Sequence, residues 1–150
     1  MSRGLAAAVL LLASCTPGAV SAPAGSSTQA TVIDVNLTLH APVTTSAGTS
    51  GGYAPAVTNV SVGAYVRFVN SDSFAHTATL IPGAAIFPSA SPFSAAALTQ
   101  SGTVVSQPWS TGALQAGASS SAILIDRPGT FLYGCFYHYG APMRGTIVAH

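Results

Sequence analysis

The stretch Pro128–Ala149, PGTFLYGCFYHYGAPMRGTIVA, indicates what kind of fold and site this sequence encodes. Its two ends are short runs rich in β-branched and aromatic residues, which is typical of β-strands. The loop between them carries a thiol at Cys135, an imidazole three residues later at His138, and a thioether five residues further on at Met143. Because one short loop holds all three side chains, they can converge on one point without the entropy cost of closing a long loop.

These three side chains together are typical of a copper site. Soft sulfur ligands combined with imidazole select copper, and one cysteine, two histidines and a weak axial methionine form the electron-transfer type of site. Taken one at a time, each residue has an ordinary explanation: a buried inert thiol, a solvated loop histidine or a methionine that fills core space. All three at this spacing, at the end of a β-domain, favour a metal site over those explanations.

The fourth ligand must come from another part of the chain, which offers three more histidines. His40 ends the first predicted strand, and His150 is the last residue of the sequence. His76 follows the apolar run Val66–Val69 and lies near the middle of the domain, where a sheet could bring it beneath the C-terminal loop. We therefore expect His76 to be the fourth ligand.

The N-terminus predicts export. Residues 1–14 combine one basic residue with an apolar core that is too short to cross a bilayer, which is typical of a signal peptide. The sequence LASC resembles a bacterial lipobox ending at Cys15, so we expect a lipid there, with cleavage after Ala22 as the alternative. Residues 15–30 are mostly Pro, Gly, Ala, Ser and Thr and predict a flexible tether, which leaves 31–150 as one domain. The expected location is the periplasm or the cell envelope, with the lipid on Cys15 as the only attachment to a membrane.

Charged residues are almost absent. The chain has four Lys or Arg residues and three Asp or Glu residues; because Arg3 lies in the predicted signal peptide, the domain itself has three charges of each sign. A basic surface for nucleic acid is missing, which excludes that class of partner, and electrostatic steering toward a protein partner should be weak. The sequence also lacks glutamate, which excludes a red copper centre with a glutamate ligand.

The rest of the domain has the pattern of an all-β protein, either a sandwich or a barrel. Short runs of β-forming residues alternate with turn residues, and there is no convincing long helix. The first run, Thr31–His40, alternates so that its inward side chains should be Ile33, Val35, Leu37 and Leu39. The further predicted strands are Val57–Val62, Ala64–Asn70, His76–Ile81, Ser119–Ile125, Thr130–Cys135 and Gly145–Ala149. We expect a loop over Ala41–Ala54, and a mixed stretch over Pro82–Gln107 with one helical turn at Phe93–Gln100.

From Val57 to the C-terminus the sequence resembles the plastocyanin/azurin family of cupredoxins. The loop has the Cys-x2-His-x4-Met spacing of plastocyanin and pseudoazurin. The preceding PGTFLYGC is similar to the family's Pro-Gly-Thr-Tyr-x-Tyr-x-Cys strand, and the following MRGTIV is similar to its Met-x-Gly-x-Ile-Val strand. The resemblance implies an all-β, cupredoxin-like Greek-key β-sandwich that holds one type 1 copper ion on His76, Cys135, His138 and Met143.

The same resemblance implies a function. Copper held nearly in the plane of the thiolate and the two imidazoles, with the thioether weakly axial, would carry single electrons between redox partners, and the protein would be a monomer and not an enzyme. Redox partner proteins would dock near His138, on a patch formed by Tyr139, Ala141 and Pro142. The family often has an asparagine directly after the first histidine to brace the copper loops, whereas this chain has Thr77.

Other functions are compatible with parts of this pattern. A periplasmic copper carrier or buffer would use the same ligands but would exchange its metal with partners. A multicopper oxidase or nitrite reductase needs further copper sites, which four histidines in one domain cannot supply. A metal-free adhesive sandwich would leave Cys135 as an unprotected thiol in an oxidising compartment and would not explain the loop.

Overall fold

The computed structural model describes Met1 and residues 29–150. Apart from Met1, the predicted signal peptide lies outside the described residues, as do the lipobox at Cys15 and almost all of the predicted tether. The strands are β1 (Thr31–Val35), β2 (Val43–Thr45), β3 (Gly48–Ser50), β4 (Tyr53–Ala54), β5 (Val57–Val60), β6 (Tyr65–Asn70), β7 (Thr79–Ile81), β8 (Gln100–Ser101), β9 (Ser110–Thr111), β10 (Ile123–Leu124), β11 (Gly129–Gly134) and β12 (Arg144–Ala149). A short 3-10 helix, Ala95–Leu98, precedes β8. Within this part of the chain, no helix has the length and apolar character needed to cross a membrane.

Most of these strands form two sheets that pack face to face. The first sheet has the order β10-β6-β1-β4 and the second has the order β5-β12-β11-β7-β9-β8, while β2 and β3 form a separate hairpin. Each sheet contains a parallel pair: β1 runs parallel to β6, and β5 runs parallel to β12. This arrangement is a β-sandwich, which confirms the predicted fold class.

Strand alternation decides which side chains fill the core. On β6, Val66 and Phe68 are buried whereas Tyr65 and Arg67 are exposed, because successive side chains point to opposite faces of a sheet. Phe68 meets Tyr133 of the other sheet edge to face, with ring centroids 5.1 Å apart. One hydrophobic cluster joins both sheets, and each large apolar side chain buried there contributes about 1.5–3 kcal/mol to stability.

The first strand is shorter than its apolar alternation predicts. β1 ends at Val35, because the Asn36 side chain accepts hydrogen bonds from the backbone N–H of Thr38 at 3.1 Å and of Leu39 at 2.9 Å. An asparagine that accepts from the backbone two and three residues later stabilises a turn in place of a strand. The prediction of an inward Leu39 is therefore wrong, since this side chain is 71% exposed, and Leu37 is only partly buried.

The other predicted strands are present, although some are shorter than expected. β6, β11 and β12 match their predicted ranges to within one residue at each end. β7 and β10 are shorter than their apolar runs, because the chain on the N-terminal side of each strand makes only isolated bridges. His76 bridges to Leu114, and Ser119 bridges to Val69.

The predicted loop Ala41–Ala54 contains three short strands, β2, β3 and β4, so this prediction is wrong. The hairpin of β2 and β3 closes because the Thr45 hydroxyl donates to the Gly48 carbonyl at 2.7 Å. Gly48 has a φ of +116°, which a residue with a side chain rarely adopts. The Gly and Thr residues that led to the prediction of a loop are thus the residues that form the tight turn between β2 and β3.

The first part of the stretch Pro82–Gln107 covers the outer face of the second sheet, whereas β8 belongs to that sheet and Val105 is buried in the main core. The backbone N–H of Phe87 donates to the Ala47 carbonyl at 2.9 Å, which attaches this stretch to the hairpin of β2 and β3. A second hydrophobic cluster forms beneath it from Ala47, Ile81, Phe87, Leu132 and Tyr139. The helical turn predicted at Phe93–Gln100 is confirmed as the 3-10 helix.

Candidate metal centre

Three donor atoms meet at one end of the sandwich, where β6 and β11 end and β12 begins. The Nδ1 atoms of His76 and His138 are 3.1 Å apart, and the Cys135 Sγ lies 3.8 Å from the first and 3.7 Å from the second. His76 and Cys135 are fully buried, whereas His138 is half-buried. These three side chains are spaced so that a single metal ion could bind all of them.

The loop between β11 and β12 is closed by its own backbone. The Cys135 N–H donates to the Met143 carbonyl at 3.0 Å, and the Met143 and Ala141 N–H groups donate to the His138 carbonyl at 3.2 and 2.9 Å. Met143 has no exposed side-chain surface and belongs to the same core cluster as Cys135. The sequence therefore places the thiol and the thioether at adjacent positions at the end of one strand pair.

His76 is held in place by residues that are distant in the sequence. Its backbone N–H donates to the Leu114 carbonyl at 3.1 Å, and its carbonyl accepts from the Leu114 N–H at 2.7 Å. The buried Asn70 side chain donates to the carbonyls of Phe74 and Leu114 at 2.7 and 2.8 Å. Asn70 thus joins the two loops on either side of His76, and it occupies the last inward position of β6.

Thr77 connects His76 to the thiol loop. Its backbone N–H donates to the Cys135 sulfur at 3.4 Å, and its hydroxyl accepts from the Phe136 N–H at 2.8 Å. The Thr77 carbonyl accepts from the hydroxyl of the buried Tyr53. The hydroxyl of Thr77 therefore braces the two loops at the position where the cupredoxin resemblance leads one to expect an asparagine.

A carboxylate lies directly behind His76. The Asp72 Oδ2 atom is 3.0 Å from the His76 Nε2 atom and also accepts from the Leu37 N–H at 2.9 Å, while its Oδ1 accepts from the Ser73 N–H at 2.7 Å. Burial alone would raise the pKa of Asp72, but the hydrogen bonds from His76, Ser73 and Leu37 outweigh it and hold this pKa below its ordinary value. Sequence reasoning missed Asp72; its only signal is the spacing of four residues between an aspartate and a histidine in a polar loop.

His138 is the donor residue that reaches the surface. Burial lowers its pKa below the ordinary value, the nearby His76 lowers it further, and Asp72 opposes the shift. An imidazole must be neutral to bind a metal, so these surroundings favour the form of His138 that can act as a ligand. The remaining histidines lie apart from this group: His40 pairs with Asp34 at 2.6 Å, and His150 is exposed at the C-terminus.

The surface around His138 differs from the predicted patch in one residue. Tyr139 is only 2% exposed, because its hydroxyl donates to the Pro88 carbonyl at 2.9 Å and the Arg144 guanidinium lies 4.0 Å from its ring centroid. The prediction of Tyr139 as a surface residue is therefore wrong. Ala141 is exposed and Pro142 half-buried as expected, and the neighbouring Tyr137 is also exposed.

The donor set fits copper better than other common metals. One thiolate and two imidazoles are also found around zinc, but structural zinc sites complete their coordination with cysteine, histidine or carboxylate ligands. Here the fourth side chain is the thioether of Met143, on the same loop as Cys135 and His138, and a thioether is a soft ligand typical of copper sites. His76, Cys135, His138 and Met143 are thus grouped as a potential copper site.

Comparison with solved structures identifies the fold. No protein-family model and no curated protein matches the sequence. An amicyanin variant in its Cu(I) form superposes with a TM-score of 0.51 at 17% identity, covering 81% of this chain and 82% of that chain. A purple cupredoxin from Nitrosopumilus maritimus gives 0.51 at 18% identity, with coverage of 80% and 99%. A copper-containing nitrite reductase from Thermus scotoductus gives 0.50 at 21% identity over 81% of this chain but only 22% of that chain. The chain therefore has the cupredoxin fold.

Proposed function

We propose that this protein is a type 1 copper protein that carries single electrons between redox partners in the periplasm or at the cell envelope. The observation that carries the proposal is the convergence of His76 Nδ1, Cys135 Sγ and His138 Nδ1 to within 3.1–3.8 Å of one another. The cupredoxin fold supports the proposal, because the similar solved structures include an amicyanin in its Cu(I) form. Met143 completes the proposed ligand set.

The surrounding residues keep the donor atoms in place. A copper ion on these ligands would supply a one-electron couple. The Thr77 N–H directed at Cys135 stabilises negative charge on the sulfur, and the Leu114 bridge and the closed loop hold His76 and Met143 on rigid backbone. A site whose ligands are fixed by their own hydrogen bonds need not rearrange when its charge changes, which favours rapid electron exchange.

His138 provides the route to a partner. Its ring is half-buried, whereas the other three proposed ligands are fully buried. Ala141, Pro142 and Tyr137 lie beside it on the same loop and offer a largely uncharged contact surface. A domain with three charges of each sign would dock a redox partner through such apolar contacts more than through electrostatic attraction.

One cleft among the described residues lies away from the proposed copper ligands. This cleft has a volume of about 560 Å³, and its lining includes Pro82, Arg127 and Phe131. These residues lie near the start of β11, whereas Cys135 follows the end of that strand. The cleft is therefore at the opposite end of the sandwich from the proposed copper ligands, so a substrate bound there would not meet the metal.

The visible spectrum of copper-loaded protein tests this proposal. We expect an intense blue colour on adding Cu(II), from charge transfer between the Cys135 sulfur and the metal. Cys135→Ser should abolish the colour, because serine offers no soft thiolate. His76→Ala should lose the colour or become sensitive to added ligands, whereas the matched His40→Ala should stay blue. A serine variant as blue as the parent would refute the assignment.

A further inference from the structure

Asp72 is the one buried carboxylate among the described residues. Its side chain is nearly inaccessible, with a relative exposure of 6%, whereas Asp126 is exposed and Asp34 is partly exposed. Burying a charged group is costly unless hydrogen bonds compensate it. In a domain with so few charges, a carboxylate buried behind a proposed metal ligand needs an explanation.

The Asp72 carboxylate accepts from two backbone N–H groups and from the Ser73 hydroxyl at 3.4 Å, and it contacts the His76 ring. The N–H groups of Leu37 and Ser73 are backbone donors and cannot accept. The remaining partner is the His76 Nε2 atom at 3.0 Å. The Asp72 N–H itself donates to the Asn70 side-chain oxygen at 2.9 Å, which anchors the backbone of this residue in the loop. The carboxylate is therefore held where it accepts a hydrogen bond from His76, so the Nε2 atom of His76 carries the proton.

This contact determines which nitrogen of His76 carries the proton. A neutral imidazole has one N–H and one lone pair, so donation from Nε2 to Asp72 leaves the lone pair on Nδ1. The Nδ1 atom is the one that faces Cys135 and His138, at 3.8 and 3.1 Å. The opposite tautomer would place a hydrogen on Nδ1, where it would block metal binding.

We propose that Asp72 is a positioning residue of this site. It fixes His76 in the tautomer that can bind metal, and its negative charge favours Cu(II) over Cu(I). The second half of this inference rests on the proposed copper function. A carboxylate that accepts from a ligating histidine raises the basicity of that ligand. Its negative charge also stabilises Cu(II) more than Cu(I), so it lowers the reduction potential.

A charge-removing variant tests the electronic part. Asp72→Asn keeps an oxygen that can accept from His76 Nε2 but removes the negative charge. We expect Cu(II) binding to weaken about tenfold relative to Cu(I) binding, which for a one-electron couple raises the reduction potential by about 59 mV. Asp34→Asn is the matched control, because it removes the other aspartate that pairs with a histidine, His40, away from the site. An Asp72→Asn potential equal to that of the parent, or a shift matched by Asp34→Asn, would overturn this part.

Nitrogen-15 NMR of the copper-free wild-type protein tests the positioning part without any variant. At a pH where the imidazole is neutral, the His76 ring should show the Nε2–H tautomer, and Asp72→Ala should convert it to a mixture. An Nδ1–H tautomer in the wild type would overturn the proposal, even if the Asp72 variants fail to fold. If the wild type gave no blue colour with Cu(II), the proposed function would fail, and so would the predicted effect of Asp72 on the reduction potential. The tautomer measured by NMR would still decide whether Asp72 positions His76.

Discussion

Gly52 sets how closely the backbone approaches the proposed methionine ligand. Its φ is +73°, and a Cβ at this position would lie 2.5 Å from the Met143 Cγ and 3.3 Å from its Cε. Real side chains do not approach this closely, so any other residue would displace the thioether or the loop. The absence of a side chain at Gly52 therefore leaves the space that the Met143 side chain occupies.

Gly52→Ala should move the Met143 side chain and change the electronic properties of the copper site. We expect an altered visible spectrum and a shifted reduction potential, because the axial thioether tunes type 1 copper. The variant should also lose about 1–2 kcal/mol of stability from the left-handed backbone alone. Gly83→Ala is the matched control, since Gly83 has a φ of +69° and a Cβ there would meet nothing within 4 Å. Equal spectra in both variants would contradict a role for Gly52 at the site.

Single residues also show which parts of the site could be predicted. Cys135, His138 and Met143 lie in one loop, so their spacing alone indicated a common site. His76 required a judgement about which strand reaches that loop. Gly52 was missed because its contact with Met143 joins residues far apart in the sequence and depends on how the chain folds. Asp72 was missed although only four residues separate it from His76, because a polar loop has no periodic pattern that would show which way its side chain points.

Among the structural elements, the strands with clear alternation were predicted well. β6, β11 and β12 follow from apolar periodicity and flanking turn residues, because both signals are local. β1 was predicted too long, since the Asn36 side chain ends the strand although the apolar alternation continues to Leu39. The stretch Pro82–Gln107 could not be placed because its buried residues pack in different places: Phe87 lies on the outer face of the second sheet and Val105 lies in the main core. Such contacts depend on tertiary structure and leave no periodic pattern in the sequence.

At the scale of the whole molecule, the core is built around buried aromatic rings that include two tyrosines. The Tyr53 and Tyr133 rings are 4.9 Å apart, and both are buried. Burial raises the pKa of each phenol above its ordinary value, and for Tyr53 the negative charge that Cys135 would carry raises it further. Within the described residues the Tyr133 hydroxyl has no hydrogen-bond partner, so its neutral form is kept by burial alone.

These buried phenols predict a loss of stability at alkaline pH. In the unfolded chain a tyrosine ionises near pH 10, whereas in the folded chain its pKa is higher, so the stabilisation is complete below about pH 10 and is lost as the pH rises above it. Each such tyrosine should lower the free energy of unfolding by about 1.4 kcal/mol per pH unit above that point. Urea unfolding of the copper-free protein from about pH 8 to 11 measures this slope. Tyr133→Phe should be at least as stable as the parent near pH 8 and should show a shallower alkaline slope, while Tyr65→Phe, at an exposed ring, serves as the control. A slope unchanged by Tyr133→Phe would contradict the assignment.

The most direct test of the electron-carrier proposal follows the electron and the metal in one mixture. Reduced, isotopically labelled protein carrying one stable copper isotope is mixed with oxidised, unlabelled protein carrying the other. NMR line broadening of the reduced form reports electron exchange, and native mass spectrometry reports which isotope each chain holds. We expect rapid broadening of signals near His138 while each chain keeps its own isotope, because one closed loop and the buried His76 retain the ion. Sharp signals together with scrambled isotopes would contradict the electron carrier and leave a copper carrier with the same ligands.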